Sequence, residues 1–187
     1  MFAYCLNNPT NYIDLSGKDA IVLYDSDAVG HIGALIQDSD GKWWHFYWGT
    51  ANDWTRVACA VGLDVTPLTW CVPYTGEIDL DQINADESYG GAYEEMLYLK
   101  GDFSDSVTIA KNPGGLYNLY SNNCAQVTLN TLAASDTVYR DALSTGSNAI
   151  LPKNAFATVK REMAGVSIEQ RKGRFYNYFE WNYVTAV

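Results

Sequence analysis

Gly30-His31-Ile32-Gly33-Ala34-Leu35-Ile36-Gln37-Asp38-Ser39-Asp40-Gly41-Lys42-Trp43-Trp44-His45-Phe46-Tyr47-Trp48 is the stretch whose reading decides the fold. Residues 31–36 are an apolar, β-forming run, and residues 43–48 are an aromatic return run. Asp40-Gly41 between them is a strong short-range hairpin signal. The spacing Asp38-x-Asp40-Gly41 also begins a calcium loop, but Gly49 stands where a bidentate Glu is required, so a turn is the reading. Both histidines of the chain, His31 and His45, fall in this hairpin. Around a turn centred near residues 38–41, positions summing to about 76–80 face one another, so the two rings are expected to be cross-strand neighbours.

Working outward, Ala20-Ile21-Val22-Leu23-Tyr24 is a short apolar run and predicts a buried strand, followed by a loop at Asp25-Ser26-Asp27. Short strands are expected near residues 56–61, 68–72 and 105–109, and short helices within 78–85 and 89–98. Asn112-Pro113-Gly114-Gly115 breaks the chain. A helix is predicted from Cys124 to about residue 134, a polar loop at 144–148, and a second helix over 152–163 with Pro152 in its first turn. The alternating aromatics of 173–187 read as an edge or closing strand. Residues 1–17 are turn chemistry and read as a linker, which leaves 18–187 as one domain. The fold class that follows is α+β, an antiparallel sheet packed against helices.

The composition fits that class. The chain has 187 residues, of which 48% are apolar, enough for a core. Fourteen tyrosines and six tryptophans suit a pleated surface. A net charge of −10 argues against a nucleic-acid partner, whose affinity rests on Lys and Arg. The short basic cluster Arg171-Lys172-Gly173-Arg174 reads as a solvated turn. No apolar run approaches the roughly 20 residues of a membrane span, and no segment reads as a signal peptide. The four cysteines form no Cys-x-x-Cys pair. Cys59 and Cys71 are read as buried free thiols rather than as a disulfide. No metal or other cofactor is expected, since His31, His45, Cys59 and Cys71 match no familiar zinc spacing.

The chemistry centres on Tyr117-Asn118-Leu119-Tyr120-Ser121-Asn122-Asn123-Cys124, which runs straight into the predicted helix. Ser121, Asn122 and Asn123 are good N-cap residues, so Cys124 falls in the first turn. Unpaired N–H groups and the helix dipole there favour the thiolate, the nucleophilic form. A cysteine nucleophile needs a base, and the base needs an orienting partner. Cys124, His31 and His45 fill those roles in that order. Each also has a plainer reading. His31 is then a strand-start residue beside Gly30, His45 one member of an aromatic hairpin, and Cys124 a small apolar residue packed with Val127, Thr128 and Thr131. Trp43, Trp44, Trp48 and Trp54 raise the alternative of a non-catalytic, aromatic-rich binding module, although core packing is the simpler use of them.

Two resemblances bear on this choice. Gly30-His31-Ile32-Gly33-Ala34, then His45 after a hairpin, then Asn123-Cys124 at a helix start, resembles the circularly permuted papain-like fold of lecithin:retinol acyltransferase relatives and permuted NlpC-type hydrolases. In that arrangement the His-bearing sheet precedes the Cys-bearing helix. The resemblance implies His31 as base, His45 as orienting partner and Cys124 as nucleophile. After Cys124, Ala125-Gln126 stand where the acyltransferase branch commonly has Glu-His. Tyr4-Cys5-Leu6-Asn7-Asn8-Pro9-Thr10-Asn11-Tyr12-Ile13-Asp14 is similar to the end of the core region of Rhs-repeat proteins, just before their variable C-terminal toxin domains. Leu15 replaces the usual Pro after that Asp. Together they imply a polymorphic-toxin tip, delivered into a target cell as part of a larger protein with an Rhs shell and met there by a cognate immunity protein. The expected activity is a toxin-like cysteine hydrolase (peptidase, amidase or deamidase) working through a thioester on a protein, peptide or acyl substrate. An acyltransferase or lipid esterase of the same fold is the alternative.

Overall fold

The computed structural model describes residues 18–26, 30–85, 93–135 and 137–165. Five strands form one antiparallel sheet: β1 (Ala20–Asp25), β2 (His31–Gln37), β3 (Trp43–Gly49), β4 (Leu68–Tyr74) and β5 (Glu95–Leu99), in the order β4-β3-β2-β1-β5. The hairpin expected from Asp40-Gly41 is present. Asp38 organises it, its carboxylate accepting the N–H groups of Asp40 and Lys42 and the indole N–H of Trp44 at 2.8–3.0 Å. Gly41 occupies the left-handed region at φ 76°, where a side chain would be strained.

Those bonds fix the register. Gln37 faces Trp43, Leu35 faces His45 and Ala34 faces Phe46. The expected pairing of His31 with His45 is therefore displaced: His45 lies opposite Leu35, four residues along β2 from His31. The ladder between β2 and β3 ends at Ala34–Phe46, while β2 remains paired with β1 down to His31 and β3 with β4 up to Gly49. The two central strands thus open into a fork at this end.

Strand alternation gives the sheet two buried faces. On one face Val22, Ile32, Ala34, Ile36, Phe46 and Trp48 meet the helices α3 (Ser104–Ala110), α4 (Cys124–Ala133) and α6 (Pro152–Gly165). Leu129 and Leu132 of α4 are fully buried there, each worth about 1.5–3 kcal/mol in transfer terms. Helix α5 (Arg140–Ser147) packs beside α4 and α6, and Gly146 lets Val159 approach where a Cβ would collide. On the opposite face Ile21, Leu23 and Leu35 pack with Tyr74, Tyr93 and Ile83 of α2 (Leu80–Ala85). The remaining helix, α1 (Asp53–Ala60), follows β3.

Several sequence expectations are corrected. Residues 56–61, expected as a strand, lie largely in α1, nucleated by a reciprocal capping box between Asn52 and Thr55. Residues 105–109, also expected as a strand, belong to α3. The β-branched Val107, Thr108 and Ile109 are overruled because Ser106, Val107 and Ala110 make one buried helical face. Residues 95–99, expected within a helix, form β5 because β1 offers them a partner edge. The loop expected at 144–148 is mostly the end of α5. Asp25, expected in a loop, is the last residue of β1. The linker read in 1–17 and the strand read in 173–187 lie outside the described residues. Among the tryptophans, Trp48 is fully buried and Trp54 is 78% exposed. No described helix is long and apolar enough to cross a membrane.

Candidate active site

Cys124 opens α4, as the cap residues predicted. The Asn123 carboxamide accepts the Gln126 N–H at 3.0 Å, and the Gln126 side chain returns to the Asn123 N–H at 3.1 Å. The Asn123 amide group also donates to the carbonyls of Leu119 (2.9 Å) and Ile150 (2.7 Å). This fully buried residue ties the helix start to two loops at once.

The start of α4 sits in the fork between β2 and β3. Trp48 of β3 donates its indole N–H to the carbonyl of Asn122 at 3.3 Å. Thr128 donates its hydroxyl to the carbonyl of Ile32 at 3.2 Å, and the backbone of Ile32 acts to lower the pKa of the Cys124 thiol. Ile32 has left the β2–β3 ladder, and α4 satisfies its backbone in place of Trp48. Since Ile32 follows His31, the sulfur lies beside the peptide group that begins at His31.

The Tyr117 hydroxyl and the N–H groups of Ala125 and Cys124 also act to lower the thiol's pKa. Tyr117 is held in place by a two-way backbone bridge with Val65 at 2.7–2.9 Å. These donors favour a thiolate, but Cys124 is only 1% exposed. Burial pushes its pKa above the ordinary thiol value, and the donors reduce that rise without reversing it. Burial thus opposes the thiolate that a helix N-terminus alone favours.

His31 is half-buried and lies on the sheet face opposite α4 by alternation. Its ring stacks on Tyr47 with centroids 4.5 Å apart and tilts against Tyr93 at 6.3 Å. Both tyrosines also feel the charge of Cys124. Sulfur and imidazole originate from opposite faces of the sheet, and Tyr47 and Tyr93, against the ring, lie within the electrostatic reach of the sulfur. The Nε2 atom of His31 is buried and has no hydrogen-bond partner. An unpaired buried polar atom costs about 1–3 kcal/mol, so it marks a functional position more readily than a packing one. The pKa of His31 is lowered to about 3, chiefly by burial, with the His45 ring and the Arg56 guanidinium opposing further positive charge.

His45 is fully buried. Its Nδ1 accepts the indole N–H of Trp70 at 3.1 Å, so in the neutral ring the proton sits on Nε2, which donates to the Tyr93 hydroxyl at 3.2 Å. Trp70 stacks on Tyr47 at 4.1 Å, closing a path of contacts His31–Tyr47–Trp70–His45–Tyr93. Tyr93 lies over Gly33, where a Cβ would strike its hydroxyl. The structure places Cys124 beside the backbone of Ile32, the residue after His31; it directs the ring nitrogens of His45 to Trp70 and Tyr93 rather than to His31.

Sequence reasoning missed Tyr117, Tyr47 and Tyr93, three of many tyrosines with nothing local to single them out. It also missed that Asp25 stands directly opposite His31 in the β1–β2 ladder. The signal was available: centring the 20–36 hairpin on residue 28 places Asp25 there. Among the described residues no group of three or more His, Cys, Asp or Glu is arranged to hold a metal ion, and Cys59 and Cys71 are free thiols. No family model, curated protein or solved structure matches the chain.

Proposed function

We propose that the chain is a cysteine hydrolase acting through a thioester. The observation that carries the reading is Cys124 at the capped start of α4, which meets the backbone of Ile32, the residue after His31. Cys124 is the nucleophile. As its sulfur attacks a substrate carbonyl, the thiol proton passes to His31, and the carbonyl oxygen becomes an oxyanion. Tyr117 O–H and the Cys124 N–H, both on the sulfur's side, are the donors assigned to that oxyanion. Collapse of the adduct expels the leaving group, which takes the proton from His31 and leaves an acyl-thioester. Water then attacks with His31 as base, releasing the acid and regenerating the thiol. An amine or alcohol in place of water makes the same site an acyltransferase. Tyr117 remains protonated because burial raises its pKa, so it can donate throughout.

The order of His-bearing sheet before Cys-bearing helix supports a permuted papain-like arrangement, and the Rhs-like residues 4–14 support a role as a delivered toxin tip with a cognate immunity protein. A second reading, a binding module, draws on Trp54, Val57 and Val61, all exposed on α1. Expression in bacteria, directed separately to cytoplasm and periplasm, distinguishes the two. The wild-type chain is expected to arrest growth in one compartment and Cys124→Ser to be harmless at equal expression and equal circular dichroism. Equal toxicity of the two chains would overturn the enzyme reading.

A further inference from the structure

A neutral ring that must accept a proton inside a protein needs a negative charge beside it. Among the described residues that act on His31 or contact its ring, the others offer none in the resting state. His45 has its ring nitrogens committed to Trp70 and Tyr93. Arg56, from α1, brings positive charge, and Tyr47 and Tyr93 are neutral phenols whose ionisation burial opposes. Cys124 becomes negative only as the reaction starts.

Asp25 is the exception. It is the Cα partner of His31 in the antiparallel β1–β2 ladder. Alternation puts its side chain on the face of Ile21 and Leu23, which is also the face of Leu35 and therefore of His31. Directly opposed residues on one face have Cβ atoms about 4.5–5.5 Å apart. The charge of Asp25 is also felt at Tyr47 and Tyr93, the two rings that contact His31. Register, face and shared neighbours thus agree.

We infer that Asp25 is the positioning residue of the site: its carboxylate, opposite His31 on β1, stabilises the imidazolium formed when Cys124 gives up its proton. The assignment rests on the reading of Cys124 and His31 as nucleophile and base. It moves the third role from His45 to β1 and leaves His45 as part of the aromatic frame.

The test is the pH dependence of Cys124 alkylation by iodoacetamide, read residue by residue by mass spectrometry, with Cys59 and Cys71 as folding controls. A thiol that passes its proton to a neutral imidazole as it is alkylated gives a plateau of reactivity at neutral pH, below the rise due to the simple thiolate. In Asp25→Asn the plateau is expected to fall about tenfold, the effect of one pKa unit in the pair, while the alkaline rate is unchanged. Asp25→Glu keeps the charge and is expected to retain the plateau within about threefold. A merely structural role would alter both limbs and the control cysteines together. An unchanged plateau in Asp25→Asn, or one lost equally in Asp25→Glu, overturns the assignment. A wild-type profile with no neutral plateau would instead overturn the pairing of Cys124 with His31 on which it rests.

Discussion

His31 is kept neutral by its surroundings, and this couples the site to stability. Its pKa is about 3 in the fold against 6.5 for an ordinary imidazole. Between those values the unfolded chain binds a proton that the folded chain refuses. Stability from this group is therefore present above about pH 6.5 and is lost as pH falls toward 3. The limiting slope is about 1.4 kcal/mol per pH unit, made shallower by the ring's partial exposure. Urea unfolding between about pH 7 and pH 5 should show a steeper loss for the wild type than for His31→Gln. Parallel slopes would mean that His31 titrates alike in both states. Cys124 shows the same competition with the opposite chemistry. The sequence placed it correctly at a capped helix start, and its local donors are there. Its depth was not legible, because burial depends on what β2 and β3 do elsewhere in the chain, and burial is the larger effect on its pKa.

At the scale of elements, the reliable signals were those in which the side chain acts on its own backbone. Asp38 with Asp40-Gly41 made the hairpin readable, and Asn123 made the start of α4 readable. Where the decision lay in tertiary pairing, the reading failed: Val107-Thr108-Ile109 look like a strand in isolation, and β5 exists because β1 lies beside it. The exact register at His45 was of this kind: its partner Leu35 lies at one end of the expected range of facing positions, and only the whole sheet fixes which one is used. Asn123 supports more than a helix. Its carboxamide caps α4 and also fixes the chain at Leu119 and Ile150. Asn123→Ala is expected to destabilise the domain by about 2–3 kcal/mol, a lost cap plus buried groups left unpaired. Asn123→Asp should recover part of this by keeping the acceptor. The midpoints of urea unfolding check both values, and a change within about 0.5 kcal/mol for Asn123→Ala would show that the cap is dispensable.

At the scale of the molecule, the site depends on the fork. The helices cover one face of the sheet, and His31 points to the other. A closed β2–β3 ladder would keep sulfur and imidazole apart. Ending the ladder at Ala34–Phe46 lets α4 take over the backbone of Ile32, the residue after His31. The α+β class and the antiparallel hairpin were legible in the sequence; the fork was not, because neither strand contains a break that announces it. Proximity across the fork is tested most directly by disulfide trapping in His31→Cys. Two cysteines can be bridged when their Cα atoms lie about 4–7 Å apart. Under a mild oxidant, peptide mapping is expected to find position 31 joined to Cys124 as the dominant intramolecular product. No such bridge, or a bridge from position 31 to Cys59 or Cys71 instead, would contradict the shared site.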